Sequence, residues 1–166
     1  MAKDTSGKKA LKKAEKKKKR KAEKRALQVA ALPIRTTKSG KVKVLMVTTR
    51  DSGRWVIPKG WQMKGETPWA AAHIEAQEEA GALGLICPQS LGSFHYRKRL
   101  RGGRKLRARV RVYPLLVEEL MANWKESGQR KRKWFSVKAA AKRVREDELA
   151  ALLAQLGRDA ETARAR

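Results

Sequence analysis

Residues 60–82, GWQMKGETPWAAAHIEAQEEAGA, form the stretch that decides the fold. Thr67 carries the side-chain oxygen that caps a helix, and Pro68 suits the first helical position because it lacks a backbone N–H. Gly81 suits the position just past a helix, where the left-handed conformation is common. Together these signals predict a helix over residues 68–80.

Three glutamates share one face of the predicted helix, because Glu75, Glu78 and Glu79 lie at positions i, i+3 and i+4. Like charges at this spacing repel by about a few tenths of a kcal/mol per pair. A hard divalent cation turns that repulsion into binding, and Mg²⁺ is usually completed by substrate phosphates. The pattern therefore predicts a site for Mg²⁺, or for Mn²⁺ as a substitute, that also holds a phosphate ester or anhydride. A solvated acidic helix face is the alternative.

The loop before the helix, residues 59–66, supports this interpretation. Gly60 and Gly65 allow the backbone to approach a ligand closely or to turn sharply. A backbone carbonyl of Lys59 or Gly60 could supply a further oxygen ligand to the metal.

The spacing of the glycines and glutamates resembles the Nudix box, Gly-x5-Glu-x7-Arg-Glu-U-x-Glu-Glu-x-Gly-U, where U is bulky and apolar. Six of its seven named residues are present, namely Gly60, Glu66, Glu75, Glu78, Glu79 and Gly81. Ile74 stands where the family has an arginine that braces the carboxylates. Either a basic residue from elsewhere in the chain replaces that arginine, or the site is weakened.

The flanking segments are similar to those of the diphosphoinositol polyphosphate phosphohydrolases. They are residues 48–50 (Thr-Thr-Arg), 54–58 (Arg-Trp-Val-Ile-Pro) and 130–135 (Arg-Lys-Arg-Lys-Trp-Phe). The resemblance implies an α/β fold, the Nudix α/β/α sandwich with a mixed β-sheet between helices. It also implies a Mg²⁺-dependent pyrophosphohydrolase that cleaves a diphosphate linkage in diphosphoinositol polyphosphates or dinucleoside polyphosphates.

The same resemblance implies roles for individual residues. Glu75 and Glu79 are the principal metal ligands, and Glu78 is a further ligand or the group that orients or deprotonates water, so all three are catalytic candidates. Glu66 and Gly81 have structural roles. The substrate-binding candidates are Thr48, Thr49, Arg50, Lys59, Gly60, Trp61 and Arg130. Two alternatives stay open: a nucleotide or RNA 5′-end pyrophosphohydrolase, and a non-catalytic module that binds polyanions.

Charge divides the chain into segments. The 166 residues contain 42 Lys and Arg against 16 Asp and Glu, a formal net charge of +26. Residues 1–28 hold thirteen of these basic residues against three acids and predict a basic, disordered or loosely helical tail. We expect the Nudix domain over residues 29–156 and a C-terminal tail over residues 157–166. The basic tail is a solubilising arm or a non-specific contact to nucleic acid.

Composition excludes two classes of protein. No run approaches the roughly 18 apolar residues that a membrane span needs. The single cysteine, Cys87, excludes an intrachain disulfide and favours a reducing, cytoplasmic location. The basic balance favours anionic partners without identifying them. The resemblance implies that the partner is a phosphate-rich small-molecule substrate, and the sequence indicates no oligomeric state.

Periodicity predicts several strands and helices outside the box. Strands are expected at about 41–49, at 54–57, over 93–100 and 105–117 as a hairpin, and around 134–135; helices are expected over 137–144 and 147–156. Intermixed strands and helices indicate an α/β or α+β class. The basic residues of the hairpin either discourage edge pairing or contact a phosphate-rich ligand.

Overall fold

The computed structural model describes residues 5–166 and alternates strands with helices. In chain order the elements are α1 (Thr5–Arg25), β1 (Leu27–Thr36), β2 (Val42–Thr48), β3 (Trp55–Val56), β4 (Lys59–Trp61), α2 (Pro68–Ala80), β5 (Ala82–Ile86), β6 (Gly92–Arg99), β7 (Lys105–Leu120), β8 (Arg132–Ser136), α3 (Val137–Arg143) and α4 (Asp147–Arg164). Within residues 5–166, no helix combines the length and the apolar character required to cross a bilayer.

The eight strands form one mixed sheet in which β1 and β7 are central. The main path runs β3-β2-β1-β7-β5, while β4 also pairs with β1, β6 with β7, and β8 with β2. Strands β1 and β7 are parallel, whereas the other pairs are antiparallel. The mixed sheet that the resemblance implied is therefore confirmed.

Strand β1 is covered on both faces, which explains its continuous apolar run. Val29 and Ala31 pack into the core beneath α2. Ala30 and Leu32 point the other way, into the core beneath α3 and α4. Because successive side chains of a strand alternate between its faces, this single strand contributes to both cores. The predicted α/β/α sandwich is confirmed.

Helix α2 has the predicted bounds, and local signals at both ends set them. The Thr67 hydroxyl accepts a hydrogen bond from the Ala70 backbone N–H at 3.2 Å. Gly81 adopts the left-handed conformation with φ of +61°, and its N–H donates to the Gln77 carbonyl at 3.0 Å. Apart from Glu79, the buried residues of α2 are alanines, which let the helix lie close to the sheet.

The predicted hairpin is formed by β6 and β7. Gly102 and Gly103 both adopt positive φ in the connecting turn, a conformation that favours glycine. Along β7, Ala108 and Val110 are buried while Arg107 and Arg109 are exposed, as the alternation predicts.

The structure differs from the sequence predictions at the ends of the domain. Residues 5–25 form the helix α1, since Lys, Ala and Glu favour helix even without an apolar stripe. Residues 27–28, assigned to the tail, belong to β1, and residues 157–164, also assigned to a tail, continue α4. The first part of the predicted tail, residues 1–4, lies outside the described residues.

Two short strands were not predicted. Lys59–Trp61 forms β4 inside the segment predicted as a loop, because β1 offers it an antiparallel partner. Ala82–Ile86 forms β5, which pairs with the end of β7. Strand β4 brings the start of the box beside the glutamates of α2.

Candidate active site

Gly60 of β4 lies against the Glu75 carboxyl group of α2. A Cβ atom placed on Gly60 would overlap the Glu75 carboxyl group and lie 2.6 Å from its more distant oxygen, Oε2. Any side chain at residue 60 would therefore occupy the space of the carboxylate. The box glycine is needed here because of this contact rather than for backbone freedom, since its φ lies outside the left-handed region.

Glu79 is the most deeply buried of the three glutamates on α2, with 6% of its surface exposed. Its Oε2 accepts a hydrogen bond from the Lys59 backbone N–H at 3.2 Å, and its Oε1 accepts from Arg130 Nη2 at 3.1 Å. Burial raises the pKa of Glu79 to about 7, against the opposing influence of Arg130 and Lys59. The carboxylate is thus held in place, but its charge is incompletely compensated.

Arg130 connects three segments of the site with one buried guanidinium. Besides Glu79, it donates to the Thr48 carbonyl at 3.1 Å and, through Nε, to Glu126 Oε2 at 3.3 Å. Its side chain is 8% exposed. A basic residue from elsewhere in the chain therefore contacts one carboxylate of the box, Glu79, while Ile74 occupies the position of the box arginine.

The remaining carboxylates lie toward the opening of the site. Glu78 Oε1 is 3.1 Å from Lys125 Nζ, and Glu126 Oε1 is 3.3 Å from Arg50 Nη1. Burial raises the pKa of Glu75, with further contributions from the negative charges of Glu78 and Glu126. Four carboxylates therefore share a small region in which at least two resist ionisation.

The segment after β7 fixes the C-terminal end of α2. Trp124 Nε1 donates to the Glu79 carbonyl at 3.0 Å, the Glu126 N–H donates to the Glu78 carbonyl at 3.0 Å, and Arg132 Nη1 donates to the Ala80 carbonyl at 2.9 Å. These carbonyls have no partner within the helix. The same contacts therefore provide hydrogen-bond donors for the last carbonyl groups of α2 and bring Glu126 beside the glutamates of that helix.

The register of β4 against β1 directs the backbone groups of Lys59 and Gly60 to different sides. The Ala31 N–H donates to the Pro58 carbonyl at 3.1 Å, and antiparallel strands exchange hydrogen bonds at every second pair. Gly60 is thus in a bonded pair with Val29, with its carbonyl directed into the sheet. Lys59 directs its N–H and carbonyl toward α2. Of the two predicted carbonyl ligands, only that of Lys59 faces the carboxylates.

A cavity of about 390 Å³ lies over these groups. Its lining combines carboxylates, cations and a few neutral side chains: Gln28, Arg50, Lys59, Gly60, Trp61, Gln62, Met63, Glu75, Glu78, Glu79, Tyr96, Lys98, Glu126 and Arg130. The structure thus brings together all three predicted catalytic glutamates and five of the predicted substrate-binding residues, Arg50, Lys59, Gly60, Trp61 and Arg130.

The other predicted site residues do not line this cavity. Thr48 Oγ1 accepts a hydrogen bond from the Lys131 N–H at 2.9 Å, and Thr49 Oγ1 lies 2.8 Å from Ser52 Oγ, so both hydroxyls have internal partners. Gly81 ends α2, in agreement with a structural role. Glu66 is exposed in the loop before the helix.

Sequence reasoning missed the wall that β1 and β6 contribute. Tyr96 donates to Gln28 Oε1 at 2.6 Å, and the Lys59 ammonium lies 4.8 Å from the centre of the Tyr96 ring. Lys98 lies over the Trp61 ring at 5.6 Å. The apolar run LQVAALPI at residues 27–34 could have revealed β1, but the basic segment before it concealed the boundary.

Comparisons with known proteins agree with this architecture. The model of the NUDIX domain family matches residues 24–156. The chain is 35% identical over 117 residues to diphosphoinositol polyphosphate phosphohydrolase 3-beta of Homo sapiens, covering 69% of this chain and 66% of the relative. It is 35% identical over 109 residues to Nudix hydrolase 13, mitochondrial, of Arabidopsis thaliana, covering 60% of this chain and 52% of that relative. The chain thus spans between about half and two thirds of these relatives.

Solved structures share the fold at lower identity. The Ap4A hydrolase of C. elegans, in a binary complex, superposes with a TM-score of 0.59 at 21% identity, covering 79% of this chain and 94% of that one. The dihydroneopterin triphosphate pyrophosphohydrolase of E. coli superposes with a TM-score of 0.60 at 20% identity, covering 81% and 97%. With a family match over most of its length, the chain belongs to the NUDIX domain family.

Nudix hydrolases use a divalent metal ion such as Mg²⁺, and the donor set fits one. Among residues 5–166, no three His, Cys, Asp or Glu side chains are already arranged around a common ion position. Glu78 and Glu79 are instead paired with Lys125 and Arg130. The Glu75 carboxylate, however, makes neither a side-chain hydrogen bond nor an ion pair within the described part of the chain. Hard carboxylate oxygens with uncompensated charge suit a small divalent cation.

Proposed function

We propose that this chain is a Mg²⁺-dependent Nudix hydrolase that cleaves a diphosphate linkage. The observation that carries the proposal is the Glu75 carboxylate, which lies against Gly60 without a polar partner and next to the buried Glu79. Desolvating two neighbouring carboxylates costs free energy, and a bound cation offsets that cost.

Glu75 and Glu79 would hold the metal ion, with Glu78 and the Lys59 carbonyl as further ligands. A divalent ion in this position would polarise a phosphoryl oxygen and offset the charge of the leaving phosphate. The Lys59 N–H and Arg130 orient Glu79 by binding its two oxygens separately. If Glu78 does not bind the metal ion, it would be the group that orients or deprotonates the attacking water.

Basic side chains at the cavity suit a phosphate-rich substrate. Arg50, 60% exposed, and Lys98 both line the cavity, and Arg50 contacts Glu126. An arginine binds phosphate through two parallel hydrogen bonds, so Arg50 could exchange Glu126 for a substrate phosphate. These basic side chains, and the similarity to a diphosphoinositol polyphosphate phosphohydrolase, support diphosphoinositol polyphosphates or dinucleoside polyphosphates as the leading substrates. A nucleotide or an RNA 5′ end is the alternative substrate.

One observation favours a different function. Arg130 is paired with Glu79, and Ile74 replaces the charged residue of the box, which would also suit a non-catalytic module that binds polyanions. Such a module would bind phosphate-rich ligands without a response to Mn²⁺. A cytoplasmic location is also a proposal and rests on the single cysteine.

The test is a panel of diphosphates assayed for released product with Mg²⁺ or Mn²⁺. The panel contains a diphosphoinositol polyphosphate, a dinucleoside polyphosphate, a nucleoside triphosphate and a 5′-triphosphorylated RNA. We expect metal-dependent turnover of the first two substrates and loss of turnover in Glu79→Gln. Glu119→Gln, which makes the same chemical change at an exposed residue of β7, should remain active. Absence of turnover across the whole panel with either metal would refute the proposal.

A further inference from the structure

A second and larger depression lies between α1 and the β6–β7 hairpin, outside the cavity described above. Its volume is about 1310 Å³. We call it the basic groove; its lining residues on α1 are Lys13, Lys16, Lys17, Arg20 and Lys21, and those on the sheet side are Ala26, Leu27, His95, Arg107 and Arg109. None of these described lining residues is acidic. Glu148 contacts the His95 ring at 3.1 Å but does not line the groove.

The cations of α1 in this groove form one stripe. Relative to Lys13, the others lie at i+3, i+4, i+7 and i+8, which is the spacing of a single helical face. That face spans about 12 Å along the helix axis, from the rise of about 1.5 Å per residue. Arg107 and Arg109 supply the second wall, since both project from the exposed face of β7.

The two walls are joined covalently at one end. Only Ala26 separates the end of α1 from the start of β1, and its carbonyl accepts a hydrogen bond from the Arg109 backbone N–H at 2.9 Å. The groove is therefore built into the fold at this end rather than formed by a detached arm.

Seven lysines and arginines that face one depression repel one another. Like-charged neighbours at this spacing on a helix destabilise it. Lysine and arginine side chains offer hydrogen-bond donors and no acceptors. The occupant that suits such a lining presents closely and regularly spaced anionic oxygens.

We propose that the basic groove binds the phosphate backbone of a nucleic acid, without base specificity. A concave, uniformly cationic channel suits a strand with one negative charge per nucleotide. Base readout is not expected, because contacts from lysine and arginine to phosphate oxygens carry no sequence information. The described lining also contains no Phe, Tyr or Trp on which a base could stack.

The groove is separate from the proposed catalytic cavity. Gln28 and Tyr96 line the cavity, whereas their chain neighbours Leu27 and His95 line the groove. Adjacent residues of a strand point to opposite faces. Nucleic-acid binding can therefore be tested without reference to diphosphate hydrolysis.

The experiment measures fluorescence anisotropy of a labelled 20-nucleotide RNA with the full chain over a range of NaCl concentrations. The groove variant is Lys16→Gln, Lys17→Gln and Arg20→Gln. The matched control is Lys8→Gln, Lys18→Gln and Lys19→Gln, which removes the same charge from exposed residues of the same helix that do not line the groove. A second pair compares Arg107→Gln and Arg109→Gln with the turn residues Arg101→Gln and Arg104→Gln.

Each neutralised phosphate contributes about 0.7 to the slope of log K against log salt for single strands. The groove variant should therefore lower the magnitude of the slope by about 2 and weaken binding roughly 100-fold at 0.1 M NaCl. The control should weaken it less than about fivefold, since exposed charges beyond the contact are screened. Oligomers of different base composition should bind alike.

Three results would overturn the proposal. The first is an equal loss of affinity in the groove variant and in its control, which would indicate diffuse attraction to the whole helix. The second is unchanged affinity in the Arg107 and Arg109 variant, because the sheet wall would then take no part. The third is equal affinity for polyglutamate of matched charge, which would assign the groove to acidic proteins.

Discussion

Replacing Gly60 by alanine tests the contact between β4 and the Glu75 carboxylate. The new Cβ would lie 2.6 Å from Oε2, whereas ordinary contacts begin at 3.4 Å, so the carboxylate must retreat by at least about 0.8 Å. Misplacement by about 1 Å at a reacting centre costs roughly 100-fold in rate. Because Gly60 does not adopt a left-handed φ, alanine fits the backbone, and the free energy of unfolding should change by less than about 1 kcal/mol.

The assay is metal-dependent release of product from the best substrate of the panel, with Mn²⁺ varied at each substrate concentration. We expect kcat/KM to fall roughly 100-fold. We also expect the Mn²⁺ concentration that gives half-maximal activity to rise. Gly128→Ala is the matched control, since no atom lies within 4 Å of a Cβ placed there. Activity of Gly60→Ala within about threefold of wild type would refute the reasoning. So would a loss of thermal stability large enough to account for the lost activity.

Three further outcomes are expected. Arg130→Met should lower the free energy of unfolding by about 3–5 kcal/mol in urea, because it leaves Glu79 buried without its charge partner; saturating Mn²⁺ should restore more stability to this variant than to wild type. Thr67→Ala should cost about 1 kcal/mol in the same assay through loss of the α2 cap, and an unchanged urea midpoint would contradict that role. In EDTA, stability should fall as pH rises from 4.5 to about 7, because folded Glu79 keeps a proton that the unfolded chain has released; Glu79→Gln should lose that part of the slope.

Helix α2 could be predicted to the residue because its signals are local. The hydroxyl of Thr67, the ring of Pro68 and the left-handed Gly81 each act within one turn of their own position. The alternation of apolar and basic residues along β7 is equally local, and it matches the buried and exposed faces of the strand. Elements whose limits are set by their own residues need no knowledge of the rest of the fold.

Strand β1 was missed because its character depends on distant partners. A strand covered on both faces lacks alternation, and its parallel pairing with β7 joins segments some eighty residues apart. Gln28 meets Tyr96 because β1 and β6 both pair with β7. Because the sequence analysis did not predict β1, it could not predict the cavity wall that these two residues form.

The role of Arg130 shows the same dependence. The sequence assigned this residue to substrate phosphates, while the structure gives its guanidinium to Glu79, Glu126 and the Thr48 carbonyl. Nothing in the local sequence distinguishes an arginine that faces a ligand from one that braces a carboxylate. The distinction depends on the segment after β7, whose contacts with the end of α2 bring the two charges together.

The most direct test of the account is a calorimetric titration of the full chain with Mn²⁺. We expect saturable binding that is lost when Glu75 and Glu79 are both replaced by glutamine and is retained when Glu118 and Glu119 are replaced in the same way. Unchanged Mn²⁺ binding in the first variant, or no binding by the wild-type chain, would contradict the claim that these two carboxylates hold the metal.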